Sequence, residues 1–258
     1  MPSLLMPSLL MPSCGLPGTG ARKTRLLALL AVRDGMRFLP GFLRNVAPQV
    51  DGIVALDDGS ADDSPELLAQ HASVIELLRN PRNRPAWDEV GNHRLLLAAA
   101  LRHRAQWVIC VDADERLERD FRARAERVIA RGRLLGYSAY AVRLRELWDD
   151  PRQFRVDGIW GRKSVARLFR ARHDHEFDPA PLHGSKAPQQ GRRRGRFPGA
   201  NLTIYHLGML HAEDRAARRR RYELADPDRR WQAIGYEYLT DLSGLRLQPV
   251  NERRSFID

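Results

Sequence analysis

The chain has 258 residues, of which 43% are hydrophobic, and a formal net charge of +11 that arginine carries almost alone. This composition supports a sizeable core and excludes a chain that is disordered throughout. Its two cysteines are too few for a disulfide framework or a zinc site. A basic surface favours anionic partners such as nucleotide phosphates and acidic lipids.

The start of the sequence is treated apart from the fold. It repeats a five-residue unit, MPSLLMPSLLMPS, that prolines interrupt. We expect residues 1–22 to be a disordered tail, or an artefact of cloning or of the choice of start codon. No apolar run in the sequence approaches the roughly 18 residues that span a bilayer. We therefore expect a cytoplasmic protein, with room for peripheral contact at the inner face of an anionic membrane.

Short apolar runs alternate with helical patterns in the first half of the chain. In chain order the sequence predicts a strand over 26–32, a helix over 37–47, a strand over 53–56, a helix from Pro65, a strand over 74–77, a helix over 88–103 and a strand over 108–111. Such alternation predicts an α/β fold, with a mostly parallel twisted sheet, helices on both faces and a nucleotide-sized crevice at the carboxyl edge. Neither a G-x-G-x-x-G nor a G-x-x-x-x-G-K-[ST] motif is present, which disfavours dinucleotide binding and P-loop chemistry.

Acidic residues follow two of these predicted strands. The strand over 108–111 ends in Asp112-Ala113-Asp114-Glu115, and the strand over 53–56 ends in Asp57-Asp58-Gly59-Ser60. Because side chains alternate along a strand, Asp112 and Asp114 can point the same way. Two carboxylates at such an edge suit Mg²⁺ or Mn²⁺. The alternative is that these acids open the next loop or cap a helix that starts near Leu117.

The second half is less regular and rich in loops. Short strands are predicted over 137–144, 164–169 and 202–207, and a helix with an arginine face over 212–225. The basic stretch over 184–199 is either a mobile loop over the site or an ordinary surface excursion. We expect a mixed-strand second half, one main domain over residues 23–211 and a helical appendage over residues 212–258.

Four segments in order resemble glycosyltransferase family 2, whose members have the GT-A nucleotide-sugar fold, a Rossmann-like α/β fold. They are AVRDGMRFLPGFLRNV, IVALDDGSADDS, NHRLLLAAALRHRAQWVICVDADE and ARLFRARHDHEFDPAPLHG, and together they cover about residues 26–183. The pairing of DDGS with D-x-D, each after a buried strand, carries the resemblance. The resemblance implies a metal-dependent glycosyltransferase of the hexosyltransferase type.

The resemblance also implies roles for individual residues. Arg33 and Asp34 match the base and ribose pocket, Asp58 the acid that binds the nucleobase (typically uracil), Arg94 the segment near the diphosphate, Asp112 the acid near the ribose and the metal, and Asp114 the direct ligand of Mg²⁺ or Mn²⁺. His206 could complete the metal shell, although a lone histidine on a strand is more often a core residue with satisfied hydrogen bonds.

Inversion at the sugar carbon needs one general base that accepts the acceptor's proton. The candidates lie in the sequence RHDHEFDPAPLH and are Glu176, Asp178 and His183, with Asp174 beside them. Many relatives carry a His-Glu pair where this chain has His183 followed by Gly184. The alternative is that the acids of this stretch form a structural network with Arg167, Arg170 and Arg172.

The leading hypothesis is therefore an inverting transferase that moves a sugar from a nucleoside-diphosphate sugar, UDP-sugar favoured, to a hydroxyl acceptor. The acceptor is a saccharide, a lipid-linked molecule or a small molecule. One alternative is another Mg²⁺-dependent nucleotide enzyme, a nucleotidyltransferase or a phosphohydrolase. The non-enzymatic alternative is a basic membrane- or nucleic-acid-binding protein, but no helix-turn-helix, zinc or aromatic-platform motif supports nucleic-acid binding.

Overall fold

The computed structural model describes residues 24–82, 88–179 and 184–258, so the tail predicted over residues 1–22 lies outside the described residues. The α-helices are α1 (Leu39–Val46), α2 (Ser64–Gln70), α3 (Glu89–Arg102), α4 (Phe121–Leu135) and α5 (Ala212–Ala225). The strands are β1 (Leu26–Val32), β2 (Ile53–Asp57), β3 (Val74–Arg79), β4 (Trp107–Cys110), β5 (Glu115–Leu117), β6 (Ala139–Trp148), β7 (Asp150–Arg155), β8 (Ser164–Arg170), β9 (Gly199–His206) and β10 (Leu247–Pro249).

One large sheet organises the described residues. Its strand order is β10-β7-β6-β8-β4-β1-β2-β3, and β9 pairs with both β5 and β6. The neighbours β4, β1, β2 and β3 run parallel, whereas β8 joins β4 in the antiparallel sense. The prediction of a parallel first half and a mixed second half is confirmed. Parallel strands place their carboxyl ends at one edge, and this edge carries the predicted acids.

Helices cover both faces of the parallel strands, as predicted. Alternate side chains of β1 divide between two apolar clusters, with Leu30 in one and Leu29 in the other. Phe42 of α1 packs in the first cluster and Leu96 of α3 packs in the second. Burial on both faces explains why β1 is continuously apolar instead of alternating with polar residues.

Asn45 fastens α1 to the strand that follows the D-x-D motif. It is 2% exposed, and its Nδ2 donates to the carbonyls of Leu117 at 3.0 Å and Ile257 at 2.9 Å. Its Oδ1 accepts from the Leu117 amide at 2.7 Å. One amide thus ties α1, β5 and the C-terminal segment together.

We expect Asn45→Leu to lower the free energy of unfolding by about 1–3 kcal/mol, because buried backbone groups lose their partners. Urea denaturation measures this change. Gln49→Ala is the matched control, because Gln49 is half-buried one turn later and donates to the Asn45 carbonyl at 3.1 Å. Its expected cost is about 0.5 kcal/mol or less. If the two variants lowered the free energy of unfolding equally, Asn45 would not tie the three segments together as described.

The C-terminal segment packs against the main sheet at several points. β10 pairs antiparallel with β7, and the ring of Phe256 lies 5.1 Å from that of Tyr205. Trp148 and Trp160 are buried in an apolar cluster with Tyr236. The domain boundary at residues 211 and 212 stays a prediction. No helix in the described part of the chain is long and apolar enough to cross a membrane.

Candidate functional site

The acids that follow β2 and β4 lie at the same edge of the sheet. β1 is the common neighbour, since Val32 pairs with Asp57 on one side and Leu29 pairs with Cys110 on the other. The amide of Asp58 donates to the Val32 carbonyl at 2.8 Å. The chain therefore leaves all three strands at the edge where nucleotides bind in open α/β sheets.

Asp58 is held inside a hydrogen-bonded cluster. Its side chain is fully buried, and its Oδ2 lies 2.5 Å from Nη2 of Arg33. Its Oδ1 accepts from Nδ2 of Asn80 at 2.6 Å, and the same Nδ2 donates to Oδ1 of Asn92 at 2.9 Å. Arg33 also donates from Nε to the Asp58 carbonyl at 2.7 Å. The side chain of Arg33 is 30% exposed, so this cluster reaches solvent through Arg33.

The other predicted nucleotide residues lie nearer the surface. Asp34 is exposed and has a left-handed φ of 53°, which aspartate tolerates better than most residues. Its carboxylate accepts from the Ala61 amide at 2.7 Å, and its amide donates to Ser60 Oγ at 2.9 Å. Arg94 is exposed on α3, two residues after buried Asn92. The structure thus joins Arg33, Asp34 and Asp58 to one loop and leaves Arg94 on the adjacent helix.

Asp112 is held by two cations. Lys186 donates to its Oδ1, and Nη2 of Arg167 donates to its Oδ2 at 3.1 Å and to Oε1 of Glu115 at 2.7 Å. Burial alone would raise the pKa of Asp112, but the charges of Lys186 and Arg167 outweigh burial and hold the pKa well below its usual range. Asp112 is therefore ionised and already neutralised by protein cations.

Asp114 faces His206 across the end of the sheet. Oδ2 of Asp114 lies 3.0 Å from Nε2 of His206, and Nδ1 of His206 bonds to the buried carboxylate of Glu146. Strand register creates this contact, because Glu146 on β6 is the parallel partner of His206 on β9. Burial would lower the pKa of His206, but the charges of Glu146 and Asp114 outweigh it and raise the pKa to about 10.

The residues around Asp114 fit a small divalent ion. A Cβ on Gly208 would lie 2.4 Å from Asp114 Oδ2, 2.8 Å from His206 Nε2 and 3.0 Å from Nη1 of Arg218, so glycine keeps a fourth side chain out of the space that these three groups share. Glu146 on Nδ1 orients the ring, an arrangement common for histidine ligands. Among residues 24–82, 88–179 and 184–258, no group of three or more acidic, histidine or cysteine side chains could hold a metal. Phosphate oxygens and water would have to complete the shell.

The candidate bases fall into different places. Asp178 is half-buried and lines a cavity of about 310 Å³ together with Arg167 and Lys186. Glu176 is exposed, and its backbone carbonyl accepts from the Gln189 amide at 2.8 Å. His183 lies outside the described residues. Among the candidate bases in the described part of the chain, Asp178 therefore shares a cavity with Arg167 and Lys186, the two partners of Asp112.

The alternative for these acids was a structural network with Arg167, Arg170 and Arg172. Among the described residues, one such ion pair joins Arg172 to Asp174. Arg172 Nε lies 2.9 Å from Oδ1 of Asp174 on the surface, while Arg167 turns to Asp112 and Glu115. Within the arginine run over 218–221, Arg218 lies inside the site with Nη1 3.0 Å from His206 Nε2.

Glu146, Lys186 and Arg218 also lie at the site, and the sequence does not predict them there. No local motif marks them, because strand pairing and a long loop bring them to the D-x-D acids. The one available signal was charge inside a strand pattern, since Glu146 interrupts the apolar end of β6.

Comparison with known proteins supplies the family. A model of glycosyl transferase family 2 matches residues 37–180, more than half of the chain. The chain belongs to glycosyl transferase family 2. Uncharacterized proteins of Mycobacterium tuberculosis and Mycobacterium bovis are each 30% identical to this family member over 223 residues, which is 83% of the chain and 54% of each relative. The chain thus spans about half the length of the curated relatives it matches.

Two solved structures have a fold similar to that of this chain. Staphylococcus aureus TarS 1-349 in complex with UDP-GlcNAc superposes with a TM-score of 0.50 at 10% identity, over 84% of this chain and 70% of TarS 1-349. The mannosyltransferase PcManGT from Pyrobaculum calidifontis, in complex with GDP-Man and Mn²⁺, superposes with a TM-score of 0.50 at 15% identity, over 78% and 61% of the two chains. This family 2 chain has the GT-A fold and contains a glycosyltransferase domain.

Proposed function

We propose that the protein transfers a sugar from a nucleoside-diphosphate sugar to a hydroxyl acceptor with inversion, using a divalent metal ion. The observation that carries this proposal is the convergence of Asp58 and the Asp112–Asp114 pair at one edge of the sheet, beside β1. Membership of glycosyl transferase family 2 supports sugar transfer.

The donor would lie along this edge with its base near Asp58 and its diphosphate near Asp114. Both carboxylate oxygens of Asp58 already accept hydrogen bonds. A direct contact with the nucleobase therefore requires one of these hydrogen bonds to be replaced. The exposed part of Arg33 lies beside Asp58 and would line the same pocket. A uracil N–H donor fits a carboxylate acceptor, so the site is compatible with a uridine nucleotide, as it would be with the N–H donors of guanine.

Asp114 and His206 would hold the metal ion, which would have to displace the proton that His206 carries at neutral pH. Glu146 would keep the His206 ring in place. A donor set of carboxylate and imidazole suits Mn²⁺ better than Mg²⁺, which prefers oxygen ligands. When bound, the ion stabilises the charge that develops on the leaving diphosphate. Arg218 lies beside the same ligands and adds a second positive charge for the phosphates.

The acceptor hydroxyl must lose its proton as it attacks the sugar carbon. Asp178 is the candidate base that the structure favours, since it lines a cavity next to the residues that hold Asp112. A carboxylate in this position accepts the proton and needs no covalent intermediate, consistent with inversion.

Titration calorimetry with UDP and GDP, each with and without Mn²⁺, tests the proposal. We expect UDP to bind at micromolar concentration with Mn²⁺ and about tenfold or more weakly after chelation, since the ion would supply positive charge for the phosphates. ATP and CTP serve as controls for a nucleotidyltransferase. The proposal would be overturned if a nucleoside triphosphate bound more tightly than both diphosphates. It would also be overturned if binding of the diphosphates did not depend on Mn²⁺.

A further inference from the structure

A cavity beside the two cationic partners of Asp112 has three positive side chains in its lining. It measures about 310 Å³ and lies between β8 and the segment over residues 184–197. Its polar walls are Ser164, Arg167, Asp178, Ser185, Lys186 and Arg192. Three cations and one acid therefore face one small space, on the side of the site that holds the candidate base.

Arg167, one of the lining residues, has two hydrogen-bond donors without a partner among the described residues. Its side chain is 7% exposed, and its Nη2 serves Asp112 and Glu115. Its Nε and Nη1 are buried and have no hydrogen-bond partner among the described residues. A buried guanidinium donor without an acceptor is costly, so these two groups favour an acceptor beside Arg167, either a water or an anionic oxygen.

Lys186 and Arg192 reach the same cavity from the opposite wall. The side chain of Lys186 is 16% exposed and bonds to Asp112. The guanidinium of Arg192 lies over the ring of Phe197, 5.3 Å from its centroid, and 4.0 Å from the nearest oxygen of Asp178. The distance of 4.0 Å leaves Arg192 in a loose ion pair, free to contact a second anion.

We propose that this cavity binds an anionic oxygen group, such as a phosphate, on the acceptor molecule. Arginine forks and a lysine are the side chains that phosphate groups prefer. The proposal rests on the proposed transferase function, because Asp178 in the same cavity would then lie close to the acceptor hydroxyl. It defines the acceptor as a negatively charged hydroxyl compound.

The test is calorimetric titration of inorganic phosphate and of glycerol phosphate, a small probe with both a phosphate and hydroxyl groups. The full chain is first saturated with UDP and Mn²⁺ in a phosphate-free buffer. We expect glycerol phosphate to bind more tightly than inorganic phosphate. Arg192→Gln and Lys186→Gln should each weaken binding about tenfold, the effect of losing a charged hydrogen bond.

Arg194→Gln is the matched control, because Arg194 is exposed on the same segment and does not line the cavity. Arg192 is also exposed, so its substitution leaves the fold intact, whereas Arg167 carries buried ion pairs. Equal affinities in all variants would overturn the proposal. If phosphate bound without UDP and no longer bound after saturation with UDP, the cavity would be assigned to the donor diphosphate. If inorganic phosphate and glycerol phosphate bound equally well, the cavity would be assigned to a free anion. Either result also overturns the proposal.

Failure of the proposed function gives a different result. If UDP with Mn²⁺ does not bind, the donor assignment is wrong. Phosphate titration without nucleotide then still decides whether Arg167, Lys186 and Arg192 form an anion site, and the Arg192→Gln comparison decides it independently of any transfer assay.

Discussion

Asp114→Asn is expected to lower sugar transfer or donor hydrolysis by about a hundredfold to a thousandfold, because a bound metal contributes several kcal/mol of charge stabilisation. Asn keeps the shape of Asp114 and a hydrogen bond to His206, so the fold should survive. Only the negative charge that attracts the cation is lost. Steady-state kinetics over a range of Mn²⁺ concentrations measure the effect, and thermal unfolding confirms that the variant is folded.

Asp120→Asn is the matched control for this experiment. Asp120 follows Asp114 by six positions, is exposed and has a left-handed φ of 61° that asparagine also tolerates. Its variant should keep wild-type transfer and Mn²⁺ dependence. If Asp114→Asn turned over donor as fast as Asp120→Asn, the metal would have to lie elsewhere.

Asp58→Asn is expected to weaken UDP binding about tenfold or more, since a hydrogen bond to a charged acceptor contributes about 1.5–3 kcal/mol. The buried carboxylate also anchors Arg33 and Asn80. A second effect is therefore a fall in the free energy of unfolding of about 1–3 kcal/mol. Calorimetry with UDP and denaturation with urea separate the two effects.

Asp63→Asn, on the same loop, is the control, because Asp63 is exposed and its side chain makes no capping hydrogen bond to α2. It should change neither quantity. A loss of stability in Asp58→Asn with an unchanged UDP affinity would show that Asp58 only supports Arg33 and does not face the nucleobase.

Much of the fold was predictable because its signals are local. The continuous apolar runs at β1, β2 and β4 and the helical spacing of α1 and α3 depend on neighbouring residues, so the sequence predicts them within a few positions. The short strand β5 was missed. Three residues carry little periodic signal, and β5 exists because Glu115 and Leu117 pair with His206 and Ile204 of distant β9.

The position of the acidic residues was predictable from the order of residues along the chain. Acids that follow a buried apolar run must lie where a parallel strand ends. Which groups meet those acids depended on tertiary contacts. Glu146 and His206 are 60 residues apart in sequence, and Lys186 and Asp112 are 74 apart. Local sequence determined the sheet and the position of its carboxylates. Strand register and the long loop decided their cationic partners, because ion pairs between distant segments follow from packing and leave no periodic pattern.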